Sequence, residues 1–555
     1  MGVLVNGAQS AFVEGRQITN NILLAHELIK NYNRKCISPR VMLSIDIKKA
    51  FDTINWNFFR DLLIGLGFPN KMVDWIMTCI STPSYSISLN GSLQGYFKGK
   101  RGLRQGDPLS PYLFILGMDY LSRTLDLLSN DKQFNFHPKC KRLKITHLIF
   151  ADDLLLFSKG DLVSVNKLQQ CLLNFSATSG LEANPNKCHI FFGGVNERIK
   201  ASINDLLGYT EGNLPIRYLG VPLICKRLSY IDCVQIYWTS SYILPMKVLQ
   251  RIDEMNRDFL WGRSDHKQKV SLVAWEKICQ GKKFSGLGIS SAKLWNFAAV
   301  LKNIWYIHVN KELLWIKWIH GTYLKHNDIW TVNAKTNDSW LWKQMLKNRD
   351  KALDLTGGAD NLKLIIGSCY KNSKVKPSAL YTILSPTSLK VPWYNTVWGN
   401  LNYPKHSIIS WLVVQNRLLT QDRLARMGIL NANSCYLCNG DAIESRDHLF
   451  FECEYSMNVW NKIMSWLNFR WRSCNWNCML EWFTTSLRGK GFKQRIKRMA
   501  FNTSLYKIWN ERNSRIFIQK SKGPDQLVKE IKVDMLILIL NGNTAPEDRE
   551  WVLSL

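Results

Sequence analysis

Two adjacent carboxylates framed by apolar runs are the strongest chemical signal in this sequence. Phe150-Ala151-Asp152-Asp153-Leu154-Leu155 follows Leu148-Ile149 and precedes Leu156-Phe157. That pattern predicts a β-hairpin with acidic residues at its turn. A second acidic segment, Ser44-Ile45-Asp46-Ile47-Lys48-Lys49-Ala50-Phe51-Asp52, lies upstream. Carboxylate oxygens are hard donors that suit Mg²⁺, which is commonly shared between protein carboxylates and phosphates. Two such carboxylates, one from each segment, could hold a pair of ions. Asp46 and Asp152 are the natural pair, with Asp153 beside them. Further along, Cys435 and Cys438 precede His448 and Cys453 in the spacing C-x2-C-x9-H-x4-C. Three thiolates and one imidazole make a closed tetrahedral set for a structural Zn²⁺, with no open position for catalysis.

These residues need elements to hold them. Arg40 to Ile47 reads as a strand running into Asp46. Ile18 to Lys30 carries a helical stripe of Ile22, Leu23, Ala25, Leu28 and Ile29. Trp56 to Leu66 is helical and broken by Gly67-Phe68-Pro69. Ser84 to Leu89 alternates as a strand and ends in Asn90-Gly91, a hairpin turn. Gly102 to Pro108 is a loop, and Pro111 sits in the first turn of a helix reaching Leu128. Strands and helices mixed in this way give an α+β fold.

Composition narrows the partners. The 555 residues carry 73 Lys and Arg against 43 Asp and Glu, a net charge of +30. Such an excess favours a polyanion. No apolar run approaches the ~20 residues that span a bilayer; the run Met535 to Leu540 is far too short. No signal peptide opens the chain, and Asn6 stands where a myristoylation signal has Ser or Thr. The expectation is an intracellular chain, nuclear or cytoplasmic, with nucleic acid rather than membrane as partner. Fourteen cysteines, mostly scattered, do not form a secreted disulfide framework. Only Trp56 and Trp75 precede residue 237, and the other twenty of 22 tryptophans follow, which marks a compositional boundary near Tyr237-Trp238.

Asp46, then Arg104-Gln105-Gly106-Asp107-Pro108-Leu109-Ser110-Pro111, then Asp152-Asp153, in this order, resembles the palm of a reverse transcriptase. The likeness is to the LINE-type (non-LTR) retrotransposon enzymes abundant in plants. It implies a right-hand polymerase palm and fingers, then a mostly helical thumb or connection region and a small zinc-binding domain. The implied segments are 1–224 for fingers and palm, 225–375 for thumb and connection, 376–465 for the zinc-binding domain and 466–555 for a helical C-terminal region. The implied function is RNA-directed DNA polymerisation by two-metal nucleotidyl transfer, with two Mg²⁺ ions, a structural Zn²⁺, an RNA template, a DNA primer and deoxynucleoside triphosphates. The alternative is a catalytically inactive remnant that only binds nucleic acid.

By the same resemblance, Phe51 screens the sugar 2′ carbon and selects deoxynucleotides; taken alone it is equally an ordinary core Phe. Gln105 contacts the substrate region, Arg104 meets phosphate, and Gly106 permits close backbone approach. Lys187, in Gly180 to Cys188, either protonates the leaving pyrophosphate or is a solvated surface lysine. Tyr218-Leu219-Gly220-Val221-Pro222 resembles a hairpin that grips the primer, and Gln9 to Arg16 resembles a fingers segment over the template. The flanks of the Cys/His cluster resemble the companion domain of the plant enzymes: Trp411, Asn416-Arg417-Leu418, Asp447 to Phe451 and Trp509-Asn510-Glu511-Arg512-Asn513. Relatives carry an endonuclease and a first fingers segment before the Gln9 block, and a helical thumb stretch where Cys233 meets Val234. Their apparent loss points to a truncated, degenerate copy that polymerises poorly.

Overall fold

The computed structural model describes the chain apart from residues 1, 3, 33, 35–36, 224–242, 263–269, 387, 400, 432, 439, 469–474, 486, 488, 490, 542–544 and 555. The Cys233–Val234 junction and the Tyr237-Trp238 boundary lie outside the described residues. The chain forms two compact units: Met1–Ile252 with Ala292–Leu384, and Asp253–Ser291 with Ser385–Leu555. The four segments implied by resemblance follow motif order, whereas these units follow packing, and in packing the chain leaves each unit and returns.

The first unit is built on a five-stranded sheet in the order β4-β5-β1-β6-β7. Strand β1 (Arg40–Ile45) is central, antiparallel to β5 (Asp153–Lys159) on one side and β6 (His189–Gly193) on the other. β4 (His147–Phe150) pairs with β5, and β7 (Thr210–Glu211) runs parallel to β6. Side chains alternate across a strand, so one register feeds two cores. Met42, Leu155, Phe157 and Phe191 pack with helix α1 (Ile18–Ile29) and with helices from 292–384. Val41, Leu43, Ile45, Leu154, Leu156 and Ile190 face the other way, into a core shared with α5 (Ser110–Leu127) and α6 (Leu162–Ser179). A sheet covered on both faces explains why Leu154-Leu155-Leu156-Phe157 is apolar throughout rather than alternating.

Local signals set the ends of these elements. α6 begins at Asp161, whose carboxylate accepts from Ser164 N at 2.9 Å, and ends at Gly180 with φ 75°. Helix α3 (Trp56–Gly65), which lies between α2 (Ala50–Thr53) and α4 (Asn70–Ser81), stops before Gly67, as the sequence predicts. The hairpin β2 (Ser84–Leu89) to β3 (Ser92–Lys98) turns through Asn90 at φ 51° and Gly91 at φ 83°. Both positive angles are what a two-residue turn of this hand requires.

The second unit is almost wholly helical. Its core gathers Trp411, Trp460, Phe450, Phe483 and Phe501 around the helix Phe492–Phe517. Two of its fully buried indoles find acceptors: Trp411 Nε1 donates to Ser285 O at 2.8 Å, and Trp460 Nε1 to Phe450 O at 2.7 Å. Among the described residues, no helix is long and apolar enough to cross a membrane.

Candidate functional site

The acidic turn sits where the central ladder runs out. β1 and β5 pair last at Ile45↔Leu154, so Asp46 and Asp153 leave the two strands side by side. Phe150↔Asp153 closes the β4–β5 hairpin around Ala151-Asp152. Ala151 takes a left-handed φ of 56°, which costs an ordinary L-residue roughly 1–2 kcal/mol. The N-terminal segment holds it there. Gln9 Oε1 accepts from Ala151 N at 3.2 Å and from Ala11 N at 2.9 Å. Ser10 N donates to Ile149 O at 3.1 Å, and Asn21 Nδ2 donates to the same oxygen at 2.7 Å. The Gln9–Arg16 block is therefore joined directly to the acidic hairpin.

A cavity of about 670 Å³ opens at this end of the sheet, lined by Asp46, Asp152, Phe51, Gln105 and Lys187 among others. Asp153 does not line it but feels its charge. Its carboxyl is pushed up to about 6, by burial first and then by Asp152 and Asp46. Lys187 Nζ stands 3.8 Å from Asp46 Oδ2, and Lys48 pairs with Glu182 at 3.5 Å. The segment after α6 is threaded alongside: Lys48 N donates to Glu182 O at 2.9 Å and Asn184 N to Asp46 O at 2.7 Å.

The loop from Arg101 to Gln105 forms another wall. Gly102 has φ 91°, and a Cβ there would lie 2.6 Å from Asp52 O, so only glycine fits. Leu103 N donates to Phe51 O at 2.6 Å and Trp56 Nε1 to Gly102 O at 2.7 Å. The Phe51 ring stacks on Phe114 with centroids 4.6 Å apart while lining the cavity. Arg104 and Gly106 do not line it. Arg104 is drawn to Asp107 at 3.2 Å, and Gly106 faces open space. Arg101 and Lys49 do line it. Sequence reasoning passed over both; the only signal was their adjacency to Gly102 and to the Asp46 segment.

Downstream, β8 (Ile216–Tyr218) and β9 (Val221–Leu223) form the hairpin expected around Tyr218–Pro222, turning at Leu219 and Gly220 with φ 52° and 78°.

The cysteine pattern closes into one cluster. The ligand atoms of Cys435, Cys438, His448 and Cys453 all lie within 4.8 Å of one another. The Cys435 and Cys453 sulfurs are 4.0 Å apart, and Cys438 Sγ is 3.5 Å from His448 Nε2. Tetrahedral bonds of about 2.0–2.3 Å around one zinc require donor separations near these, so the residues fit the metal. Leu437 N donates to Cys435 Sγ at 3.4 Å, which favours a thiolate. A hydrogen bond with the Cys453 thiol beside it pulls the Cys435 group down.

Residues far along the chain fix this cluster. Arg515 donates to Leu437 O at 2.8 Å and Tyr436 O at 3.2 Å, and pairs with Glu511 at 2.8 Å. Arg512 and Glu444, both almost fully buried, pair at 2.7 Å. Glu444 Oε1 also accepts from Gln421 N at 3.1 Å. The Trp509–Asn513 segment thus buttresses the cluster it accompanies in sequence.

With this geometry in place, the comparisons are informative. Residues 3–223 match the family model described as reverse transcriptase (RNA-dependent DNA polymerase). The chain carries a reverse-transcriptase domain. Residues 376–460 match the model described as zinc-binding in reverse transcriptase. The reverse-transcriptase domain contains Asp46, Asp152 and Lys187, and the second match contains all four Cys and His ligands. A putative ribonuclease H protein of Arabidopsis thaliana is 22% identical over 62% of this chain and 67% of its own length. A retrovirus-related Pol polyprotein from an R2 retrotransposable element of Popillia japonica is 35% identical over 30% of this chain, and the alignment spans 27% of that protein. An R2 Pol polyprotein of Nasonia vitripennis is 30% identical over 39% of this chain and 20% of its own length. Among solved structures, telomerase from Candida albicans with a fragment of telomeric RNA aligns with TM-score 0.31 and 13% identity, over 69% of this chain and 54% of that one. The chain spans less than a third of the length of the R2 relatives it matches.

Proposed function

We propose that the cavity at the end of the central sheet performs RNA-templated DNA synthesis by two-metal nucleotidyl transfer, as in LINE-type elements. The observation that carries this reading is the convergence of Asp46 and Asp152, from two separate motifs, on one cavity that also holds Phe51, Gln105 and Lys187.

The donor set fits hard cations: two carboxylates, with Ile47 at the same wall. Asp46 and Asp152 would hold two Mg²⁺, which when bound activate the primer 3′-hydroxyl and neutralise charge on the triphosphate. The remaining roles belong to the chain itself. Asp153, with its carboxyl raised, adds a third acid whose repulsion from its neighbours is relieved by positive charge in the cavity. Phe51 is braced from behind by Phe114, so its ring resists displacement by a ribose 2′-hydroxyl. Gln105 faces the nucleotide. Lys187, within reach of Asp46, is placed to give a proton to the departing pyrophosphate. Arg101 and Lys49 add positive charge where the triphosphate would lie. The Cys/His cluster would hold one structural Zn²⁺.

Primer extension on poly(rA)/oligo(dT) with Mg²⁺ tests this reading. Labelled primer should lengthen with the unaltered chain and not with Asp152→Asn. No extension, with salt-sensitive nucleic-acid binding retained, would leave the binding-only reading in its place.

A further inference from the structure

The second unit presents a surface that joins the zinc cluster to a helix end lying outside both domain matches. The long helix Phe492–Phe517 carries seven Lys and Arg against the single acid Glu511, with Arg498 and Arg512 buried and the others at or near the surface. At its C-terminal end the chain bends through Gln519, at φ 57°, back past the zinc cluster. The bend and the cluster enclose a cavity of about 520 Å³ lined by Tyr436, Tyr455, Arg515 and the Gln519–Pro524 turn, with no carboxylate among its lining residues. Tyr436 stands between two zinc ligands in sequence, yet its side chain contributes nothing to the core and the residue is 42% exposed. Across Lys522 lies a second cavity, of about 360 Å³, lined by Phe517 and Ile518. Phe517 is 76% exposed and Ile518 63%.

The acids bordering this second cavity are already neutralised. Glu511 accepts from Arg515 and from Lys522 N, each at 2.8 Å, and Glu530 is held by Lys522 and Lys507. Arg515 spends its donors on the Tyr436, Leu437 and Lys522 carbonyls, which fixes the shape of the bend. Lys520, exposed at the tip, has no ion-pair partner among the described residues. The result is two solvent-facing rings on either side of a lysine turn, Tyr436 at a cavity with no carboxylate in its lining and Phe517 at one whose two carboxylates are already ion-paired.

We propose that this face binds single-stranded nucleic acid, with bases stacking on Tyr436 and Phe517 and the backbone phosphate meeting Lys520. Rings with cations suit a strand whose bases are unpaired, because every base has a π-face to stack and every step a phosphate. The rigid zinc cluster would anchor one ring, and the helix end the other. The contact uses residues of the second unit only and stands whether or not the sheet cavity polymerises.

The test uses the full chain and photocross-linking with 5-iodouridine-substituted oligo(U) and 5-iododeoxyuridine-substituted oligo(dT), followed by peptide mapping. Cross-links are expected on the peptides bearing Tyr436 and Phe517, and the two oligonucleotides separate a preference for RNA from one for DNA. Tyr436→Ala with Phe517→Ala should remove those cross-links and weaken this binding event by roughly tenfold or more. Lys520→Glu should flatten its salt dependence by about one phosphate contact. All three side chains are exposed, and an unchanged zinc content confirms that the variants fold. Cross-links confined to residues 3–223 would overturn the proposal. So would unaltered binding in the double variant, or partition of this face to anionic lipid vesicles with no affinity for either oligonucleotide.

Discussion

The carboxylate cavity and the Cys/His cluster are assembled on opposite terms. The cavity draws Asp46 from the end of β1 and Asp152 from the β4–β5 turn, and the sheet register forces like charges together. Asp153 shows the strain in its raised carboxyl. The cluster draws four ligands from one short stretch, and the metal they fit would itself be the cross-link. A site of the first kind is a liability that the fold supports; a site of the second kind supports the fold. Charge held against repulsion is where catalysis is done, and stability is taken from elsewhere. Neutralised donors closed around a metal do the reverse, contributing to folding directly.

Zinc removal should therefore have the largest effect. Structural zinc in small domains contributes apparent free energies on the order of 10 kcal/mol. Chelation, or Cys435→Ser, should abolish the cooperative near-ultraviolet signal of the tryptophan-rich second unit and release one zinc per chain. A well-folded second unit with no zinc would break the comparison. Next comes Asp152→Asn. Extension should fall at least about a thousandfold, near 4 kcal/mol of barrier, while the thermal midpoint stays level or rises, because one repelling charge is gone. A large loss of stability there would mean that the carboxylates hold the fold as the cysteines do.

Arg512→Ala should come third. It strands Glu444 in a buried setting, and breaking one partner of such a pair costs about 3–5 kcal/mol. The double variant Arg512→Met with Glu444→Gln should recover much of that loss in chemical denaturation. The smallest effect is with pH. In the first unit burial pushes His26 and His147 down to about 4 and His137 well below its ordinary value. Folding then favours neutral imidazole, and the unfolded chain binds more protons between the folded and unfolded values. Stability should fall as pH drops from about 6.5 towards 4. Glu27 and Asp153, both pushed up, act the other way, so the loss should be partial. In the second unit His406 alone, among the described residues, is lowered in this way. Denaturant midpoints at pH 7 and pH 5 should thus differ more for the first unit.

Much of the local structure was legible. The Asn90-Gly91 turn, the helix after Pro111, the acidic hairpin and the C-x2-C…H…C cluster follow from residue types at short spacing, where the chain's geometry leaves few choices. The helices of 292–384 were not legible as partners of β1. Apolar stripes say that a face is buried but not against what. Nor was the fastening of that contact visible. Lys139 donates to the carbonyls of Glu27, Leu28 and Lys30 at the end of α1, while Tyr323 and Ser339 close on the Glu27 carboxylate. These partners are separated by long stretches of sequence and carry no motif.

The same division holds at the sites. The sequence by itself determined which groups could act: hard carboxylates at Asp46, Asp152 and Asp153, and soft donors at Cys435, Cys438, His448 and Cys453. Those identities are chemical and survive any fold. The tertiary structure alone decided that Asp152 lines the cavity while Asp153 does not, and that Arg101 rather than Arg104 reaches the same wall. It also decided that Arg512 secures a cluster lying well before it in the chain. Orientation and reach depend on strand register, on the left-handed turn at Ala151 and on competing partners such as Asp107, and none of these is a property of a residue taken singly.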